Sequence, residues 1–470
     1  MDVDLVIVGL YLVLTLGFGI WSGRDIWTIR DFAVDPGRTS TVALYATIFA
    51  TYIGGGSTIG MAEKAFSSGL IFPLIYCLGG FNLLFIALFV APKMEKYLGN
   101  VISPGGLARV FWGRAGELTT GVMGLLSCIG GVAGQISGIG YVFQHLVGIS
   151  FEEGAFLGFG MLVIYSAFGG IRAVVATDAI QYAFLIVSIP IVTYFAMADA
   201  GGFSGLLASL PADHLTIAPM WEEPMRYPPI LVSFLIYLVA PVWMQRLLMG
   251  KDVHQLKRTF RSVSLTLPIA FICATLIGLS ALATSPQIDP YSVMVHTIQT
   301  VVPVGFKGLI IAGLLAVLMS TADSDLNVAG VMLACDVLSP RTERGISDRE
   351  TLQYGRWATF GLGIFALLTS LYFKSIIDIL LYSNGFWCGT VLLPISASLM
   401  GYRSTTRAFK WGASVGGVIA TLWIIFDLEK KTGVYGFFPA MIMNAVLFFG
   451  ISAYAKRYGT MTQKEAPGTV

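Results

Sequence analysis

A glycine-rich stretch inside the second apolar run decides the fold: ATYIGGGSTIG, residues 50–60. The run covers residues 41–67, and about 20 apolar residues are enough to cross the hydrocarbon core of a bilayer. Each glycine weakens a helix by about 1 kcal/mol relative to alanine, so the glycine triplet predicts a break. Non-helical backbone at membrane depth occurs only where it is buried in protein or lines a cavity. We therefore expect a broken transmembrane helix with free carbonyls; the alternative is close packing of small residues against a neighbouring helix.

The rest of the chain has the composition of a membrane protein. Of its 470 residues, 56% are hydrophobic and 12% are charged, against about 25% charged in soluble proteins. A scan for apolar runs predicts an all-α integral membrane protein with about 13 transmembrane helices. The predicted spans are 3–21, 41–67, 70–92, 118–147, 154–170, 174–198, 228–249, 263–284, 304–338, 355–373, 376–400, 411–427 and 434–455.

The distribution of basic residues predicts the orientation of the chain in the membrane. Most of the 29 lysines and arginines fall in alternate loops, including Arg246 with Lys251 and the residues after it. By the positive-inside rule those loops are cytoplasmic, which places the N-terminus outside and the C-terminus inside. The net charge of +2 gives no reason to expect a nucleic-acid partner.

Motifs that the sequence lacks reduce the range of functions to be expected. The sequence contains no GxxxxGK[ST] loop for nucleotide phosphates and no HExxH motif, so we expect neither an ATP-driven pump nor an enzyme. The five cysteines lie far apart in apolar runs and predict neither disulfides nor a metal site. No obligate protein partner is evident beside the lipid bilayer. Energy for any transport would come from an ion gradient.

The ninth span carries a polar face. It reads MSTADSDLN over residues 319–327, and helical spacing puts most of its oxygen-bearing side chains on one side. Hydroxyls and carboxylates without histidine or cysteine suit a hard cation. Asp178, Asp323 and Asp325 are the acids well inside predicted spans, where each needs a partner, water or an ion. The alternative is a polar stripe that bonds to other helices.

A further stretch, GGIRAVVATDAIQ at residues 169–181, adds a resemblance. Together with the glycine triplet, Ser320-Thr321 and Gln245-Arg246, it closely resembles the sodium/solute symporter family over essentially the whole chain. The resemblance implies a 5+5 inverted-repeat core of the LeuT type, with helices 2–6 in residues 41–199 and helices 7–11 in residues 228–400. Residues 1–40 and 401–470 would form peripheral helices and tails. Such repeats place substrate and ion sites at their interface.

The resemblance also implies particular ion sites. Matched residue by residue, the main sodium site would use the carbonyls of Ala50, Ile53 and Val317 and the hydroxyls of Ser320 and Thr321. A second sodium or proton site would use Asp178, Ser324 and Asp323. Asp323 stands where some two-sodium members have a hydroxyl, so sodium and proton both stay open there.

The local motifs are most similar to the choline-transporting branch, although Ala240 replaces a tryptophan expected before Gln245. The candidate substrate residues are Tyr52, Ser57, Tyr76, Gln135, Tyr237 and Trp387, with core packing as the alternative for each aromatic. The resemblance implies a multi-pass protein of the plasma membrane, here a bacterial inner membrane, that couples sodium entry to import of a small polar organic solute by alternating access. The alternatives are a proton-coupled carrier of the same fold and a non-transporting membrane sensor.

Overall fold

The computed structural model describes residues 2–224, 227–228, 230–231, 239–338, 347–372 and 376–458, and all regular secondary structure within them is helical. In chain order the helices are α1 (Asp2–Ser22), α2 (Ile29–Ala33), α3 (Thr41–Tyr52), α4 (Ile59–Ser68), α5 (Ile71–Lys93), α6 (Pro104–Val147), α7 (Phe151–Asp199), α8 (Gly202–Ser209), α9 (Pro219–Glu222), α10 (Pro241–Leu248), α11 (Val253–Thr284), α12 (Val293–Val301), α13 (Phe306–Leu338), α14 (Asp348–Tyr372), α15 (Ile376–Trp387), α16 (Leu393–Leu399), α17 (Thr406–Ile425), α18 (Leu428–Thr432) and α19 (Phe437–Arg457). Short 3₁₀ or π segments lie at Ala212–Leu215, Pro290–Ser292 and Cys388–Leu392.

Within the described residues, eight helices are long and apolar enough to cross a membrane: α1, α5, α6, α7, α11, α13, α17 and α19. The chain is therefore a multi-pass membrane protein. Described helices fall in each predicted span, although the span at 228–249 is described only in part. The number of crossings and the orientation of the termini stay predictions.

Helix α7 contains two predicted spans, 154–170 and 174–198. Its 49 residues are interrupted at Gly170, where φ is 49° and ψ is −148°. A Cβ at this position would lie 2.5 Å from Cδ2 of Phe32 in α2. Glycine is thus required both for the backbone conformation and for the close approach, which gives a structural reason for the double glycine at residues 169–170.

The predicted fourth span, residues 118–147, lies within α6. Helix α6 begins at Pro104 and has non-helical backbone at Trp112 and Gly113. Arg109 and Arg114, expected in a loop, lie on either side of this break and donate to Glu117 Oε2 at 2.8 and 3.0 Å. The two arginines compensate the charge of the buried Glu117, close to the start of the apolar run.

Helix α13 lies at the centre of the molecule. In its most apolar window 83% of the residues are buried, against 28% for α1 at the periphery. A helix enclosed on all sides must satisfy its polar side chains within the protein. The polar face of α13 is therefore directed at neighbouring helices, principally α3, α6, α7 and α10, and these helices form the candidate site.

Candidate functional site

The second predicted span is broken, as its glycines predict. Helix α3 ends at Tyr52 and α4 begins at Ile59. The backbone approaches α13 at Gly54, where a Cβ would lie 2.8 Å from Thr321 Oγ1. Any side chain there would have to displace Thr321. The glycines therefore do two things: they interrupt the helix and they allow a close approach to α13.

Side chains hold the interrupted backbone in place. Ser57 Oγ accepts a hydrogen bond from the N–H of Gly54 at 2.9 Å, and Thr58 Oγ1 donates to the Gly54 carbonyl at 2.9 Å. From α6, Gln135 Oε1 accepts a hydrogen bond from the N–H of Gly55 at 3.0 Å. Gln135 therefore satisfies a buried amide at the point where the regular helix is interrupted.

Hydroxyl and carbonyl oxygens from α3 and α13 meet at the end of α3. Ser320 Oγ donates to the Ala50 carbonyl at 2.9 Å and lies 3.1 Å from the Val317 carbonyl. Thr321 Oγ1 lies 3.2 Å from the Thr51 carbonyl and 3.3 Å from that of Val317. The structure thus brings together four of the five residues expected at the main sodium site, and it adds the carbonyl of Thr51.

Ile53, the fifth expected residue, lies immediately after α3 and is fully buried. Its φ of −87° and ψ of 88° are not helical, so its carbonyl is not aligned with the carbonyls of α3. All the oxygens at this place are uncharged, and hard cations prefer oxygen ligands. The carbonyl end of a helix also carries a partial negative charge. This donor set fits a monovalent hard cation such as sodium.

A buried ion pair adjoins this oxygen cluster. Arg246 Nη2 lies 3.4 Å from Asp178 Oδ2, and both side chains are fully buried. The same nitrogen lies 2.6 Å from Ser324 Oγ and 3.3 Å from Thr51 Oγ1. Thr47 donates a further hydrogen bond to Asp178. Thr51 therefore joins the two clusters, since its carbonyl contacts Thr321 and its hydroxyl contacts Arg246.

The assignment of Arg246 to a cytoplasmic loop is wrong. The residue lies in α10, all eight residues of which are buried. A buried arginine is tolerated when a carboxylate and further acceptors surround it, and α7, α13 and α3 supply them. Sequence position alone favoured the loop, because Arg246 stands at the end of an apolar run and close to Lys251.

The residues expected at a second ion site lie close together. Tyr165 OH donates to Asp323 Oδ2 at 2.8 Å, and Ser324 Oγ lies 3.5 Å from Asp323 Oδ1. The guanidinium of Arg246 contacts both Ser324 and Asp178. The positive charge among these groups is therefore already supplied by the protein.

A cavity of about 190 Å³ opens beside the broken helix, between α3, α6, α10, α13 and α15. Four of the predicted substrate residues line it: Tyr52, Ser57, Tyr76 and Gln135. Trp387 does not line it; its ring is fully buried, 3.1 Å from where a Cβ of Gly124 would lie. Tyr237 lies outside the described residues.

The cavity also contains residues that were not predicted. Trp243 stacks on Tyr52, with ring centroids 5.3 Å apart and an interplanar angle of 25°. Ala240 lines the cavity as well, so the aromatic face missing at that position is supplied three residues later. Asp325 and Asn384 complete the polar lining. Asp325 was recognisable as an intramembrane acid, but only the packing of α13 against α6 reveals that it faces the cavity.

Comparisons with known proteins agree with this architecture. The sodium:solute symporter family model matches residues 34–419. The chain is 23% identical to the osmoregulated proline transporter OpuE of Bacillus subtilis (strain 168), over 97% of this chain and 96% of that one. It is 27% identical to the high-affinity proline transporter PutP of the same organism, over 86% and 88% of the two chains.

Among solved structures, a Na⁺-coupled sialic acid symporter in its substrate-bound outward-open state has a similar fold. Its TM-score is 0.81 at 18% sequence identity, and the match covers 96% of this chain and 98% of that one. The likeness shows the fold, and the family model covers most of the chain. This chain belongs to the sodium:solute symporter family, whose members are transporters and not enzymes.

Proposed function

We propose that sodium enters through a site formed by Ala50, Ile53, Val317, Ser320 and Thr321 and drives import of a small polar organic solute from the central cavity. The observation that carries the proposal is the contact of the Ser320 and Thr321 hydroxyls with carbonyls at the end of α3. An ion bound there would hold α3 and α13 together. Loss of the ion would leave only the hydroxyl–carbonyl hydrogen bonds between the two helices at this place.

The site is suited to reversible binding. Its ligands are uncharged hydroxyls and carbonyls, so a monovalent ion is attracted without the strong field of a carboxylate. It also adjoins the cavity, because Thr321 and Thr51 both belong to the cavity wall. Sodium and solute would therefore stabilise the same arrangement of α3, α6 and α13, which is the physical basis of coupling.

The ion gradient supplies enough energy. One charge crossing 100 mV releases about 2.3 kcal/mol, and 1.4 kcal/mol corresponds to a tenfold ratio of concentrations. The membrane potential alone would support roughly 40-fold accumulation per net charge. The bacterial proline transporters among the relatives support a bacterial inner membrane as the location, with the basic loops in the cytoplasm.

The uncharged oxygens at the end of α3 support sodium over protons as the coupling ion. Hydroxyl and carbonyl oxygens are ligands for a hard cation and do not take up a proton near neutral pH. A proton-coupled carrier would show uptake that persists without sodium and follows the pH gradient.

The test uses purified full-length protein in detergent, with melting temperature followed as sodium replaces potassium. A bound ion stabilises the folded state by mass action, so the wild type should melt at higher temperature as sodium rises. Ser320→Ala and Thr321→Ala should each remove most of this shift. Thr369→Ala is the matched control, because its hydroxyl is exposed and bonds only to Phe365 of its own helix. Unchanged sodium dependence in both site variants overturns the proposal.

A further inference from the structure

Asp325 places a carboxylate in the wall of the central cavity. It lies one helical turn after Thr321 on α13 and is partly exposed, whereas Asp323 and Ser324 are fully buried. Of the cavity-lining residues in the described part of the chain, Asp325 alone is charged. The described lining of the cavity therefore has a single carboxyl group, which can serve as a negative counter-ion when it is ionised.

The neighbouring helix makes room for this side chain. A Cβ on Gly131 of α6 would lie 2.1 Å from Asp325 Oδ2, so a side chain there would displace the carboxylate from its present position. The Cys128 thiol is a weak hydrogen-bonding partner of the same carboxylate. Arg246 is engaged by Asp178 and Ser324 instead. Across the described residues, Asp325 forms no ion pair with a lysine or arginine within 4.0 Å.

Aromatic faces lie in the same cavity. Tyr52 and Trp243 stack with centroids 5.3 Å apart, and Tyr76 lines the same wall. The faces of such rings attract cations, most strongly when the cation is desolvated. A carboxylate at membrane depth needs a compensating positive charge. In this cavity a ligand can supply that charge.

We propose that the transported solute carries a positively charged nitrogen and that Asp325 is its counter-ion. This inference rests on the proposed function, since it names the class of solute that the same cavity accepts. An amine, a quaternary ammonium or the ammonium end of a zwitterion meets the requirement. A solute with only negative charge is repelled by Asp325, and a neutral sugar leaves the carboxylate uncompensated.

Binding to the purified full-length protein tests the proposal, with melting temperature measured in saturating sodium. The probes are choline, ethanolamine and L-proline, which carry a quaternary, a primary and a zwitterionic ammonium nitrogen, with glucose and pantothenate as uncharged and anionic controls. At least one nitrogen cation should stabilise the wild type. Its apparent Kd should rise at least tenfold in Asp325→Asn and recover in part in Asp325→Glu. The pattern among the three cations then identifies which kind of nitrogen the cavity takes.

Asp213→Asn is the matched control, since that carboxylate is 79% exposed on a segment outside the cavity. It should bind the probe as the wild type does. The proposal is overturned if only glucose or pantothenate stabilises the protein, if no probe does, or if Asp325→Asn keeps the wild-type Kd. A wild type without any sodium-dependent shift contradicts the proposed sodium site instead, so the two failures are distinguishable.

Discussion

Arg246 and Asp178 form an ion pair of 3.4 Å in which both side chains are fully buried. The pair connects α10 to α7, and Ser324 adds a contact of 2.6 Å from α13. Three helices that are distant in sequence are thereby joined through one guanidinium. This arrangement has consequences for stability and for the number of sodium ions.

Arg246→Met should destabilise the protein strongly, because it leaves Asp178 as an uncompensated buried charge. Removing one partner of a buried pair costs about 3–5 kcal/mol. Adding Asp178→Asn to Arg246→Met should restore part of the loss, since the remaining charge is then removed. Melting temperatures of the two single variants and the double variant measure this coupling.

The exposed pair Lys430–Asp427 provides the control. Its side chains are 80% and 46% exposed, and surface pairs contribute about 0–1 kcal/mol. Lys430→Met should therefore change the melting temperature little. A double variant as unstable as the sum of its two single variants would show that Arg246 and Asp178 do not depend on each other.

Sodium activation should have a Hill coefficient of one in the wild type. The group that contacts both Asp178 and Ser324 is already a cation, Arg246, so a second sodium would have to displace it. Asp178→Asn should then leave the coefficient at one, even if transport slows. Initial uptake rates against sodium concentration give the coefficient. A value above one that falls to one in Asp178→Asn would instead establish a second sodium at Asp178, Ser324 and Asp323.

Much of this site could be predicted from local sequence. The glycine triplet predicts the break, because missing side chains weaken a helix wherever it lies. Helical spacing puts Ser320, Ser324 and Asn327 on one face. Local sequence does not show which residues of other helices contact these polar side chains. Arg246 meets Asp178 across 68 residues and Ser324 across 78, and only the packing of α10 against α7 and α13 brings them together.

The sequence likewise predicted only part of the cavity lining. Tyr52, Ser57, Tyr76 and Gln135 were predicted by their positions in the family that the sequence resembles, and all four line the cavity. Trp243 was not predicted, and only the packing of α10 against α3 shows that it faces the cavity. The direction of Asp325 depends on the absence of a side chain at Gly131 of another helix, which no periodicity within α13 can show.

Gln135→Leu should weaken sodium binding several-fold. The change removes the acceptor of the Gly55 N–H, and an unsatisfied buried amide costs about 1–3 kcal/mol. The segment between α3 and α4 would then be held less firmly in the conformation that presents its carbonyls to sodium. Gln135→Glu keeps an acceptor and should bind sodium more tightly than Gln135→Leu. Gln299→Leu, whose amide is exposed and donates to the His145 carbonyl, should match the wild type in the same melting assay.

The glycine triplet offers a matched pair of substitutions within three residues. A Cβ at Gly54 would lie 2.8 Å from Thr321 Oγ1 and 3.4 Å from Thr321 Cβ, whereas at Gly56 the nearest atoms are Leu380 Cδ1 and Tyr76 OH at 3.7 and 3.8 Å. Both changes add one methyl group to the same broken segment. Only Gly54→Ala has to displace a proposed sodium ligand.

Gly54→Ala should therefore raise the sodium concentration for half-maximal stabilisation by at least tenfold, and Gly56→Ala should change it less than about threefold, because a contact of 3.7 Å is ordinary van der Waals packing. The melting temperature without sodium reports general damage in each variant. If the two variants lose sodium affinity equally, the glycines act through backbone freedom alone. If only Gly54→Ala loses it, the position of Thr321 against the end of α3 determines sodium binding.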